Sequence, residues 1–165
     1  MDFVISDTHF GHKNIIGYEQ RPFPNVDAMD KFMIEAWNAV VRSGDRVFFL
    51  GDFSFHNKGN TQKILSLLNG YKIMIMGNHD ITRSKTWWRE VGFDEVSEFP
   101  IIYNKFFILS HEPVYISKAM PYINIHGHIH DNHYGEESHI NVSVEILNYI
   151  PEKIDNIIQL FKTEV

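Results

Sequence analysis

Five times within its first 130 residues the chain ends a short apolar run at a turn that carries Asp, Asn or His. Phe3-Val4-Ile5 leads into Asp7 and His9, and Val47-Phe48-Phe49-Leu50 leads into Gly51-Asp52. Residues 72–76 lead into Gly77-Asn78-His79-Asp80, residues 106–110 into His111, and residues 122–126 into Gly127-His128 and His130. Apolar runs of this length bounded by turn residues read as buried strands. The carboxyl ends of parallel strands in an α/β sheet gather along one edge, where ligand sites lie. Five strand ends therefore deliver polar side chains to a common edge, with Gly51, Gly77 and Gly127 expected to let the backbone turn sharply there.

Between the strands the spacing becomes helical. Met29, Phe32, Met33, Ala36, Trp37, Val40 and Val41 recur every three or four residues, which predicts an amphipathic helix capped by Asn25 or Asp27 and ended by Ser43-Gly44. Further helices are expected over 61–68, 84–91 and 151–161, the last with Pro151 in its first turn. Residues 99–103 and 106–110 flank Asn104-Lys105 and read as a hairpin about a two-residue turn, and residues 140–144 as another strand. Strand–helix alternation predicts parallel pairing in the first half, and hairpins are expected to dominate the second. The expected fold is α/β, two facing sheets with helices outside, in one domain over residues 1–165.

Composition removes several function classes. Fifteen Lys and Arg against 21 Asp and Glu leave a net charge of −6, the wrong balance for gripping an extended duplex nucleic acid. The absence of cysteine removes thiol nucleophiles, disulfides, Cys-bound zinc and iron–sulfur clusters together. The opening Met1-Asp2-Phe3-Val4-Ile5-Ser6-Asp7 has neither a basic stretch nor a long apolar one, and no apolar run is long enough for a membrane span. A cytoplasmic protein without membrane contact is expected. The adjacent Trp87 and Trp88 cannot both lie on one buried helix face, which hints at a homo-oligomer contact.

A single histidine is more often a surface or satisfied buried residue than a ligand. Asp7, His9, Asp52, Asn78, His111, His128 and His130 are a set, placed together by strand ends. Carboxylate, imidazole and amide oxygen without thiolate suit Mn, Fe or Zn. Seven candidate donors exceed what one zinc site takes, whereas two divalent ions about 3.5–4 Å apart and sharing a carboxylate use them all. Two such cations outweigh two aspartates and a bridging hydroxide, so a local positive site draws an anionic phosphate to an acidic protein.

Asp7-Thr8-His9, Gly51-Asp52, Gly77-Asn78-His79-Asp80, Ser110-His111 and Gly127-His128-Ile129-His130 resemble, in order and spacing, the five motifs of the calcineurin-like metallophosphoesterase superfamily. The opening Ser6 to Ile16 and the later Asn141-Val142-Ser143-Val144-Glu145 further resemble a small bacterial and phage subgroup of that superfamily. The resemblance implies a two-sheet sandwich flanked by helices. It implies that Asp7, His9 and His130 hold one metal, that Asn78, His111 and His128 hold the other, and that Asp52 bridges them. It further implies in-line attack on phosphorus by a metal-bridging hydroxide, with His79 as general acid and Asp80 orienting it.

The expected activity is a two-metal phosphodiesterase, with Mn as metal and Fe or Zn as alternatives, acting on a small nucleotide or similar phosphodiester. The alternatives are a nuclease for short or single-stranded ends, a phosphomonoesterase, or a non-catalytic scaffold, which in this superfamily tends to have lost ligands that are all present here. For substrate contacts, His12 beside Asp7 and His9, and Arg21 as a bidentate phosphate ligand, are the candidates. Phe10, Phe53 and Phe55 flank two motifs, as walls of a cleft or as stacking rings.

Overall fold

In the first three strands, β1 (Asp2–Ile5), β2 (Arg46–Phe49) and β3 (Tyr71–Ile75), side chains alternate between two cores. Phe3, Ile5, Val47, Phe49 and Met74 join one hydrophobic cluster, while Val4, Phe48, Ile73 and Ile75 join the other. A parallel sheet apolar on both faces must be covered on both. The computed structural model describes residues 1–135 and 137–164, of which Lys162, Thr163 and Glu164 by backbone alone.

One face is covered by helices α2 (Val26–Val40), α3 (Lys58–Leu67) and α4 (Lys85–Val91), which follow a short α1 (Ile15–Tyr18). Their Met29, Met33, Trp37, Ile64, Leu65, Trp88 and Val91 pack on the first cluster. Asn25 is the cap of α2: its backbone is extended and its side-chain oxygen accepts from the Ala28 amide at 2.9 Å. That satisfies one of the amides a helix start leaves open.

The other face meets a second sheet. With β4 (Glu95–Ser97) and β9 (Glu152–Lys153) at its edges, the first sheet has the order β4-β3-β2-β1-β9. The second, from β5 (Ile101–Tyr103), β6 (Phe107–Ser110), β7 (Ile123–His126) and β8 (His139–Asn141), has the order β5-β6-β7-β8. Phe107, Leu109 and Ile125 fill the space between the sheets, joined by Ile154 and Ile157 of α5 (Ile154–Glu164). Both sheets are mixed, and helices flank the sandwich.

Several expectations change. Hairpins do not dominate the second half: β5 and β6 pair antiparallel, but β6–β7 and β7–β8 are parallel, so their ends also converge. In the hairpin Tyr103 faces Phe107, leaving three residues in the turn, with Asn104 and Lys105 at φ 46° and 69°. The last helix starts at Ile154, because Glu152 and Lys153 first pair antiparallel with Val4 and Phe3 and cover the edge of β1. The strand expected over 140–144 stops at Asn141, and Ser143 continues it as a single bridge to Ser6, tying the two sheets together. Trp88 is buried in the core, while Trp87 is half-buried, packed against the same cluster and under the Arg83 guanidinium at 4.1 Å. Among the described residues, no helix is long and apolar enough to cross a membrane.

Candidate metal centre

The parallel pairings β1–β2–β3 and β6–β7–β8 bring the polar strand ends to one edge of the sandwich. Two donor groups form there, Asp7 with His9 and His130, and Asp52 with His111 and His128, each with its ligand atoms within 4.8 Å of one another. Asp52 lies between them: its Oδ2 is 3.6 Å from His9 Nε2 and 3.5 Å from His111 Nε2. Asn78 Oδ1 completes the second group, 2.9 Å from His111 Nε2 and 3.0 Å from His128 Nδ1.

Backbone strain concentrates on these residues. Asp7, His9, Asp52, His128 and His130 have φ of 60°, 50°, 59°, 71° and 53°, a region that costs a non-glycine residue roughly 1–3 kcal/mol. Left-handed turns directly after strands aim successive side chains into the same space. Glycine does less of the turning than expected: Gly51 has φ 89°, but Gly127 is required for room, since a Cβ there would collide with Ser6 Oγ and Asp7 Oδ2. The tight approach lets the His128 amide donate to Asp7 Oδ2 at 2.8 Å.

The polar atoms fit cations. Asp7 Oδ1 and both ring nitrogens of His9 are buried without a hydrogen-bond partner, and buried polar groups are otherwise almost always paired. His111 Nδ1 lies 2.7 Å from the Leu50 carbonyl, which takes its proton and leaves Nε2 as a lone pair. That Nε2 is 3.1 Å from His128 Nδ1, and both face the Asn78 oxygen. With both imidazoles neutral, at most one proton lies among these three atoms, so at least one approach sets lone pair against lone pair, which a cation resolves. Burial, then the nearby Asp7 charge, pushes the Asp52 carboxyl up to about 7, a further sign that positive charge is wanted.

Behind the donors lies a polar network. Glu145 Oε1 is 3.1 Å from His130 Nδ1, which leaves His130 Nε2 for a metal, as carboxylates behind metal-binding imidazoles do. Burial opposes charge on His130, but the Glu145 hydrogen bond and Asp7 outweigh it and raise its pKa. The same Glu145 oxygen accepts from Arg21 Nε at 2.9 Å, while Arg21 also donates to the carbonyls of Thr8 and Asp7 at 2.9 and 2.8 Å. Arg21 is therefore neither a surface residue nor a phosphate ligand: its side chain is fully buried and anchors the turn that carries Asp7. Asp80 also differs from expectation. Its carboxylate accepts from the amides of Asp52, Gly77 and Phe53 at 2.6, 2.8 and 3.2 Å, so it braces the strained Asp52 turn rather than orienting the His79 ring. Burial, then Asp52, raises its carboxyl to about 7.

His79 stands at the front, its side chain 49% exposed and its Nε2 3.9 Å from Asp52 Oδ2. Its amide donates to Asp52 Oδ1 at 3.0 Å, which fixes where the ring starts. His12 also reaches this face, with its ring centroid 5.6 Å from that of His9. His126 is buried and turned onto the Gly127 carbonyl, His56 is paired with Asp30, and His139 lies between Ser138 and the Val114 carbonyl.

A family model described as calcineurin-like phosphoesterase matches residues 3–161. The chain belongs to this family. Calcineurin-like phosphoesterases are metal-dependent phosphoester hydrolases, generally with two metal ions, and the two donor groups suit that chemistry. Among relatives, an uncharacterized protein of Methanocaldococcus jannaschii is 42% identical over 97% of this chain and 90% of its own length. The Gene 66 protein of Mycobacterium phage L5 is 35% identical over 46% of this chain and 37% of its own. The crystal structure of a protein of unknown function from Aquifex aeolicus superposes with a TM-score of 0.76 at 30% identity, covering 97% of this chain and 98% of that one.

Within this calcineurin-like fold, sequence reasoning missed the parts played by Glu145 and Ser143. Ser143 Oγ donates to Asp7 Oδ2 at 3.0 Å, leaving Oδ1 free for a metal. Both lie in the Asn141-to-Glu145 stretch that carries the subgroup resemblance, the one signal that could have marked them.

Proposed function

We propose that this calcineurin-like phosphoesterase is a phosphodiesterase for small phosphodiesters, using Mn²⁺ or, in its place, Fe or Zn, with His79 as general acid. The observation that carries the reading is the position of His79: half exposed, beside the shared carboxylate Asp52, and held by its backbone rather than by its ring. Burial, followed by His111, lowers the His79 pKa, which makes the protonated ring a stronger acid but leaves it protonated less often near neutrality.

Asp7, His9 and His130 would hold one cation, Asn78, His111 and His128 the other, and Asp52 both. Bound there, two divalent ions lower the pKa of a coordinated water and neutralise charge on the phosphoryl oxygens. The protein's own contribution is preorganisation. Asp80 holds the Asp52 turn, Arg21 the Asp7 turn, Glu145 the His130 ring, and the Leu50 carbonyl the His111 ring. His79 is then fixed where it protonates the departing oxygen.

A groove beside one donor group and an exposed ring beside the other favour a diester, which carries two substituents. One flank holds Phe55, 40% exposed; on the other a groove of about 270 Å³ runs from Asn78 and His111 past Ile81 and Glu112. The acidic balance of the chain disfavours extended duplex, and a cytoplasmic setting with a small phosphorylated substrate completes the reading. The test is hydrolysis of bis-p-nitrophenyl phosphate beside p-nitrophenyl phosphate by Mn²⁺-loaded protein. Faster diester cleavage supports the proposal; faster monoester cleavage replaces it with a phosphatase.

A further inference from the structure

Of the three phenylalanines flanking the first two motifs, Phe10 and Phe53 are wholly buried, while Phe55 is 40% exposed. Nothing loose puts it there. Ser54 bridges to Phe10, and the Phe55 amide donates to the Phe10 carbonyl at 2.8 Å, so the backbone presents the ring outward. The His12 ring lies parallel to it, with centroids 4.1 Å apart and planes 14° apart. His9 is 5.5 Å from Phe55 and 5.6 Å from His12, so the two imidazoles do not sandwich the phenyl ring between them. Tyr18, 70% exposed, meets His12 edge-on at 6.2 Å. On the inner side the shelf touches the reacting centre: the Phe55 and His79 rings are 5.0 Å apart.

A singly exposed phenyl ring is ordinary. A phenyl pinned by its backbone, stacked on an imidazole, and set against the residue that faces the departing oxygen is a platform. Resting on the phosphodiesterase reading above, we propose that Phe55 and His12, bordered by Tyr18, form a stacking shelf for a nucleobase on the group that leaves with the oxygen next to His79. The substrate class is then a nucleoside-bearing phosphodiester. The shelf offers ring faces and few directional hydrogen-bond groups, and every base has a π-face. Recognition is by area, so purines bind better than pyrimidines and adenine and guanine are barely distinguished.

AMP and ribose 5-phosphate share sugar and phosphate and differ in the base, so their relative affinity for Mn²⁺-loaded protein by calorimetry isolates the shelf. AMP is expected to bind about 10–100-fold more tightly, in line with the usual gain from base–aromatic stacking. Phe55→Ala should bring that ratio close to one, and Phe55→Trp should keep it. A ratio near one in the wild type, or one that survives Phe55→Ala, overturns the shelf. Adenosine, which lacks phosphate, titrated into metal-free protein reads the shelf apart from the metals, and shifts of the Phe55 and His12 ring resonances are expected. Adenosine binding with no affinity for ribose 5-phosphate or inorganic phosphate would overturn the phosphoesterase reading and leave the shelf standing. Phosphate binding without any adenosine response would overturn the shelf and leave the reading standing.

Discussion

Glu145 Oε1 lies 3.1 Å behind His130 Nδ1 and receives the Arg21 side chain on the same oxygen, so a residue 15 positions downstream sets which nitrogen His130 turns toward Asp7 and His9. Glu145→Gln keeps the shape but removes the charge that holds the imidazole. Metal affinity is expected to fall roughly 10–100-fold, as when such supporting carboxylates are removed elsewhere. Calorimetric titration with Mn²⁺ measures it, and unchanged affinity would show that His130 needs no support.

Arg21→Met tests the other end of the network. Both side chains of the Arg21–Glu145 pair are nearly inaccessible, and removing one partner strands the other charge in the interior. A loss of about 3–5 kcal/mol in unfolding free energy is expected. Denaturant unfolding of the metal-free variant checks it, and a loss under about 1 kcal/mol would contradict the buried placement.

His79→Ala separates chemistry from architecture. The ring is half exposed, so metal stoichiometry and Tm should hold, while turnover drops roughly 10²–10⁴-fold. Near-normal turnover would remove His79 from the mechanism.

Metal binding should depend on pH through two donors. The Asp52 carboxyl is pushed up to about 7 by burial and Asp7, and the His130 pKa is raised because the Glu145 hydrogen bond and Asp7 outweigh burial, so both hold protons more tightly than usual in the metal-free protein. Burial, then Arg21, holds His9 well below its ordinary value, and burial, then His111, lowers His128, so protons compete less for these two. Metal must displace the protons. Affinity therefore falls as pH drops through 7, by about tenfold per pH unit for each proton displaced. Titrations at pH 8, 7 and 6 in buffers of different ionisation enthalpy count the protons, and affinity constant across that range would contradict the assignment.

What the sequence made legible was the set of strand ends. Asp7, Asp52, Asn78, His111 and His128 follow apolar runs long enough to be seen, and glycine marks several of the turns. What stayed hidden depends on distance along the chain rather than on pattern. β4 and β9 have three and two residues, too few for a period to show, and β9 becomes a strand only because β1 offers it an open edge. The parallel run β6–β7–β8 was obscured because the hairpin at Asn104 and Lys105 is a strong local signal, whereas parallel pairing leaves none. Arg21 is offered to substrate for its bidentate guanidinium, and Asp80 to His79 because carboxylates commonly orient working imidazoles. Their donors and acceptors are in fact taken by backbone groups of the strained turns, and strain of that kind is invisible until φ is known.

The central claim is that one carboxylate, Asp52, serves two cations. Anomalous diffraction from crystals loaded with Mn²⁺ tests it most directly. Two peaks about 3.5–4 Å apart, one against Asp7, His9 and His130 and the other against Asn78, His111 and His128, with Asp52 touching both, are the predicted result. A single peak, or two that Asp52 does not join, would contradict the account.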